Sequence, residues 1–186
     1  IQSVQAGGAL KTLKEEIGFS ELTEIRRQRE DWAKEAVKSF AEGNADRALK
    51  AYNDRGLVTV TENPEAARDA LITNWKKEGI ERPGDNIIIA TTNLDVSILN
   101  EKAQAARFSE GKLKGDGLTH NGKNFFEGDR VLLTKNSEKY RVKNGNLGTV
   151  KEIDAERKTI KAELDSGKVV TIDLNKYDNV TLGYAI

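Results

Sequence analysis

Cysteine and methionine are absent from the 186 residues, and there is a single histidine, His120. No disulfide, no thiolate nucleophile and no zinc site of Cys/His type can be built from this chain. Aromatic residues are scarce at 6%, and apolar residues make up 37%, so a globular chain with a modest core is expected. Charge of one sign is missing as well. Lys+Arg 30 against Asp+Glu 30 leaves no net charge, which excludes a globally basic, histone-like binder and makes any nucleic-acid surface local. No apolar run reaches the roughly 18 residues of a membrane span. There is no basic-then-apolar leader, and the expected compartment is the cytoplasm. No G-x-x-x-x-G-K-[ST] phosphate loop occurs, and Gly7-Gly8 does not replace it. The opening IQSVQAGGAL, without methionine, reads as an excised segment of a longer protein.

The first two-thirds alternate helical and strand patterns. Ala9 to Ile17 reads as a short helix and Glu21 to Ile25 as a strand. Trp32, Ala36, Val37 and Phe40 recur at helical spacing, and Asp46 to Tyr52 forms a second helix with Leu49 and Tyr52 on its apolar side. Leu57 to Val60 is a strand candidate. Asn63-Pro64 then opens a helix expected to bury Ala67, Ala70, Leu71 and Trp75. Ile87 to Ala90 is a continuous apolar run, expected as a central parallel strand covered on both faces. A helix from about Asp95 to Arg107 follows. Strands and helices in this order predict a parallel α/β sheet. Ser109 to Asn124 is rich in glycine and lysine without periodicity and reads as a linker.

From Phe125 onward the pattern changes to short strands, with runs at 131–133, 147–153, 158–164 and 168–174. Asn144-Gly145 and Ser166-Gly167 mark tight hairpin turns, and alternation along 159–164 and 170–174 gives one buried and one wet face. The expected architecture is a small barrel.

Three stretches could carry chemistry. In ELTEIRRQRE, a strand ending in Arg-Arg-Gln would put guanidinium groups at the carboxyl edge of a sheet, suited to a phosphate. A solvated cluster paired with Glu24, Glu30 and Asp31 is the alternative. Thr91, Thr92 and Asn93 lie between a strand end and a helix start, where free N–H groups and hydroxyls hold anions. Against that, Asn93 can be a helix cap and Asn100 a surface amide. Lys139, Arg141 and Lys143, with Lys135 and the interleaved Tyr140, combine cations with an aromatic, as phosphate-tracking surfaces do. An ordinary solvated loop stays open for them.

Taken with the GDRV turn at 128–131, KNGNLGTV and the closing GYAI, the Arg-Gln stretch resembles the second motor domain of RecD-like superfamily 1 helicases. The wording around RRQREDW is most similar to the helicase part of TraA-type conjugative relaxases. The resemblance implies a partial RecA-like motor domain over 1–113, a linker over 114–124, an SH3-like β-barrel insertion over 125–180 and a return towards the motor domain over 181–186. It implies an ATP-dependent 5′-to-3′ DNA helicase of plasmid conjugation, with Arg27 and Gln28 reaching ATP held on motor domain 1. Single-stranded DNA would run along Thr91, Thr92, Asn93 and Asn100 and the cations at 139, 141 and 143. ATP and Mg²⁺ belong to the longer protein; the segment alone is expected to bind no metal and to hydrolyse nothing. A helicase-derived module that binds nucleic acid or protein without catalysis is the other reading.

Overall fold

The computed structural model describes Glu16, Ile17 and residues 28–186. The expected strand at 21–25, Arg27 and all but the end of the first expected helix lie outside the described residues. The chain divides into two compact units, 1–59 and 60–186.

In the first unit, α1 (Asp31–Ala41) and α2 (Ala45–Asn53) form a helical pair. Gly43, at φ 82°, provides the left-handed residue that ends α1. Small residues make the buried contact: Ala33, Ala36, Ser39 and Ala48. The expected large stripe is only half-covered, with Phe40 44% and Leu49 51% exposed. Trp32 instead meets Tyr52 edge-on, ring centroids 5.2 Å apart, under the Arg55 guanidinium. The strand expected at 57–60 is not formed. Leu57 and Val60 are exposed, and no described strand pairs with them; β-propensity over four residues does not suffice without a partner.

The second unit begins with α3 (Pro64–Gly79) and α4 (Asn93–Ser109). Asn63 caps α3 as expected, its side-chain oxygen accepting from the Ala66 N–H at 2.9 Å. Of the face expected for α3 (Ala67, Ala70, Leu71 and Trp75) only Trp75 is buried, and its buried companions are Ile72 and Gly79. Trp75 fixes that face: its indole N–H donates to the Asn86 carbonyl at 2.7 Å and its ring meets Tyr184 edge-on at 5.9 Å. Gly79 makes room for it, since a Cβ there would lie 2.1 Å from the Trp75 ring. Gly79→Ala should therefore cost about 1–3 kcal/mol through overpacking, outweighing the roughly 1 kcal/mol that alanine adds in helix propensity. Urea unfolding of the two proteins checks this; an alanine variant as stable as wild type would mean that Trp75 can move without loss.

The apolar run at 87–90 is not the doubly covered strand that was expected. Ile88 is buried, whereas Ile87 and Ile89 are 39% and 76% exposed. Its parallel partner is the chain end: the Ile88 N–H donates to the Tyr184 carbonyl, Ile186 N–H to Ile88, and Ala90 N–H to Ile186. This is the single parallel pairing among the described residues.

The supposed linker is also structured. β1 (Lys114–His120) and β2 (Lys123–Glu127) form an antiparallel hairpin. Asn121-Gly122, both at positive φ (48° and 71°), makes its turn. Beyond it, β3 (Arg130–Leu133), β4 (Asn146–Asp154), β5 (Thr159–Leu164), β6 (Val169–Asp173) and β7 (Val180–Leu182) pair in the order β6-β5-β4-β3-β7, every pairing antiparallel. Alternation holds as expected: Ile160, Ala162 and Leu164 face inward, as do Val170 and Ile172. The sheet is open, with β6 and β7 as its edges, so strand pairing shows no closed barrel. Side chains reach towards the gap: the Tyr140 ring meets Tyr177 at 5.7 Å, and its hydroxyl accepts from the Asp173 N–H at 3.4 Å. One apolar core runs from Ile72, Trp75, Leu99 and Ala103 through Ile88 into the sheet.

Candidate nucleic-acid interface

The loop between β3 and β4 is a small rigid hairpin. Ser137 and Val142 exchange backbone hydrogen bonds at 2.9 and 3.0 Å. The side-chain oxygens of Asn136 and Asn146 accept from the N–H groups of Asn144 and Lys143, and Lys168 donates to the carbonyls of Tyr140 and Arg141. With the backbone so held, Lys139, Arg141 and Lys143 are all exposed. None of the three forms an ion pair with a described residue; Lys139 lies 5.0 Å from the centroid of the Tyr140 ring. Tyr140 packs against Tyr177, so it is a scaffold and not a free stacking platform. Arg141 sits at φ 53°, a left-handed turn position. Three unpaired cations on a preorganised backbone can meet successive phosphates with little ordering cost.

The start of α4 is the second expected edge. Thr92, not Asn93, is its cap: the Thr92 hydroxyl accepts from the Asp95 N–H at 3.1 Å and donates to the Asp95 carboxylate at 2.6 Å. That hydroxyl bond, followed by Arg68, holds the Asp95 carboxyl below its usual range. Asn93 is the first residue of the helix and, with Thr91, is exposed.

Asn100 is corrected more sharply. It is 4% exposed. Its amide nitrogen donates to the Val96 and Ala185 carbonyls, and its oxygen accepts from the N–H groups of Tyr184 and Ala185. All four hydrogen-bonding positions of the side chain are filled, so neither the DNA-facing nor the surface-amide reading survives. Asn100 is the clamp on the returning chain end. Gln28 lies half-buried just before α1, and Arg27 is outside the described residues.

One constellation was not anticipated. Asp129 is fully buried and accepts from the Tyr184 hydroxyl at 2.6 Å, the Phe126 N–H at 2.7 Å and the Gln104 amide at 2.7 Å. Burial pushes its carboxyl above the usual range, opposed first by the Tyr184 bond and then by Phe126, Gln104 and the Arg107 charge. Burial likewise raises Tyr184. Next to it, Arg130 is 3% exposed and grips Asp165 through both terminal nitrogens at 2.7 Å. The GDRV turn and the GYAI ending, 55 positions apart, are thus two halves of one contact. A buried acid right after a turn glycine was the available signal. Among the described residues no group of His, Asp or Glu is arranged to hold a metal, and no helix is long and apolar enough to cross a membrane.

A family profile described as an AAA domain matches residues 1–63. The conjugal transfer protein TraA of Agrobacterium fabrum is 31% identical over 190 residues, covering 100% of this chain and 17% of that protein. TraA of Rhizobium radiobacter gives the same identity and coverage. Along its whole length the chain is similar to these TraA proteins. It spans 17% of the length of these curated relatives. Among solved structures, the Pif1 helicase from Bacteroides in complex with ADP-AlF3 and ssDNA aligns over 90% of this chain and 42% of its own, at 20% identity and a TM-score of 0.52. Bacteroides Pif1 bound to ssDNA aligns over 88% and 40%, at 18% identity and a TM-score of 0.51. This chain therefore shares the α/β fold of those Pif1 structures.

Proposed function

We propose that this chain is the part of an ATP-dependent 5′-to-3′ DNA helicase of conjugative transfer that supplies the arginine side of the ATP cleft and part of the single-stranded DNA track. It works in the cytoplasm against a first motor domain that carries the phosphate loop. The SH3-like insertion spans residues 125–180 and takes in β3 to β6 of the open sheet. The observation that carries the DNA reading is the braced loop with three unpaired, exposed cations. Thr91 and Asn93 at the open end of α4 add polar groups and helix N–H donors for a second stretch of phosphates. Similarity along the whole chain to conjugal transfer proteins supports the biological setting.

The donor chemistry of Arg27 and Gln28, a guanidinium beside a carboxamide, fits the phosphate end of a nucleotide. Nothing among the described residues fits Mg²⁺. The nucleotide, when bound, supplies the energy of phosphoryl transfer. This chain's contribution is a fixed positive charge at the cleft.

Single-stranded DNA binding by the chain should be weak and lost with salt, with a slope near −0.7 per phosphate contact. Lys139→Ala/Arg141→Ala/Lys143→Ala should lower that slope by about 2. Arg141→Gly is the sharper variant. It removes one cation while relieving a left-handed strain of roughly 1–2 kcal/mol, so affinity should fall as stability stays level or rises. Fluorescence titration of a labelled oligonucleotide at several salt concentrations, beside a thermal melt, reads both. Equal affinities for all three proteins would remove the loop from the DNA track.

A further inference from the structure

Asp129 sits at the junction of three otherwise separate elements. Its three donors come from α4 (Gln104), from the end of β2 (Phe126) and from the chain after β7 (Tyr184). Gln104 also donates to the Asn124 carbonyl at 2.8 Å, so the same side chain ties the β1–β2 hairpin to the helix. Arg107, one turn further along α4, is 7% exposed. Its guanidinium lies 5.9 Å from the centroid of the Tyr184 ring, and its charge favours the ionised Asp129 carboxyl without a hydrogen bond between the two. A buried ionic group of this kind is an expensive way to gain stability; apolar packing would do as well or better. What it supplies is a unique geometry.

The position of the junction shows what that geometry controls. β3 and β7 are paired antiparallel, with Val131 opposite Leu182 and Leu133 opposite Val180. Asp129 precedes the first residue of β3 and Tyr184 follows the end of β7, so both lie at one end of the pair. The cationic loop leaves from the other end, where the Thr134 N–H donates to the Asn179 carbonyl. Five positions of extended chain put the loop's start, Thr134, about 17 Å from Asp129. Eleven helical residues put Asn93 about 17 Å from Gln104. The junction is the fulcrum between the two stretches assigned to DNA, and a tilt of about 10° there would shift the loop by about 3 Å on that lever.

We propose that Asp129, through Tyr184 and Gln104, is a positioning residue for nucleic acid: it fixes the spacing between the cationic loop at 139–143 and the open end of α4, so that one single strand engages both. This rests on the DNA reading above.

The test is the full 186-residue chain titrated with two oligothymidines, one of about four nucleotides that reaches a single stretch and one of about twenty that spans both. Tyr184→Phe removes the hydroxyl bond and keeps the ring against Trp75. Gln104→Ala breaks the helix arm instead. Both variants should bind the short oligomer within twofold of wild type and the long one at least fivefold more weakly. The salt slope for the long oligomer should fall towards that of the short one. If both variants weaken the two oligomers in equal proportion, the role is only structural and the proposal fails. If wild type prefers the long oligomer and the variants match it, the fulcrum is refuted while the DNA reading stands. Should wild type show no preference, and no dependence on the three cations, the DNA reading and this inference fall together.

Discussion

Alanine at Arg27, in the full-length protein of which we propose this segment to be a part, is expected to abolish ATP hydrolysis while leaving DNA binding nearly unchanged. The reasoning is geometric and electrostatic. A guanidinium contributed from the second side of a cleft meets the terminal phosphate only when the cleft closes. It then stabilises charge spread over the phosphoryl oxygens in the transition state and does little for nucleotide held in the open cleft. Arginines acting in this way contribute on the order of 10³–10⁵ in rate. An exposed ion pair, the other reading of the same residue, is worth only about 0–1 kcal/mol. Lysine should not rescue, because a point ammonium cannot reproduce the planar fork. Arg26 and Arg29, one before and two after, should tolerate alanine far better. ATPase rates with and without single-stranded DNA, read beside oligonucleotide affinity, decide the matter. A dead Arg26→Ala with an active Arg27→Ala would shift the assignment by one residue. Full activity in both would return the stretch to an ordinary charged surface.

How far the sequence carried this picture differs from element to element. The strands β5 and β6 were legible because alternation and turn chemistry agreed: Ser166-Gly167 sits between runs whose every second residue is apolar, and Gly167 does adopt positive φ. Gly145 adopts it too, but it closes the long loop from Leu133 to Asn146 and not the tight turn that was expected. The helix after Asn63-Pro64 was legible at its start, where local chemistry decides, and not in its buried face, which a distant residue decides. Trp75 is turned by the Asn86 carbonyl and Tyr184, and neither is visible in the period of α3. The hairpin at 114–127 was missed because glycines at 115 and 117 erase the alternation; Asn121-Gly122 alone announced it. The run at 87–90 was read from composition as doubly covered. Its described partner is the chain end, which no local window could supply.

The same limit separates the two asparagines of α4, and from it comes the largest stability effect to expect. Both Asn93 and Asn100 stood in a strand–turn–helix stretch, and both were assigned to DNA. Yet α4 buries Leu99, Asn100, Ala103, Ala106 and Arg107, a helical stripe in which Asn100 and Arg107 are the polar members. A polar residue inside an apolar stripe must find partners or pay desolvation, and Asn100 has found four. Asn100→Ala would strip the Tyr184 and Ala185 N–H groups and the Ala185 carbonyl of their partner in a site that water does not reach. At about 1–3 kcal/mol for each buried group left unsatisfied, and allowing for partial relaxation, the loss should be about 3–4 kcal/mol. It should also free 184–186 from 88–90, seen as rapid amide exchange at Ile88, Ala90 and Ile186. Asn100→Asp keeps the acceptor for both N–H groups but turns a carboxylate oxygen towards the Val96 and Ala185 carbonyls, so it should fare no better. Thr92→Ala, which removes a cap, should cost about 1 kcal/mol. Asn93→Ala, exposed at the first helical position, should change stability by less than about 0.5 kcal/mol. Urea unfolding ranks the four. If Asn100→Ala proves as mild as Asn93→Ala and exchange at Ile88 stays slow, the parallel pairing holds without its clamp, and the four hydrogen bonds of Asn100 follow from the fold without securing it.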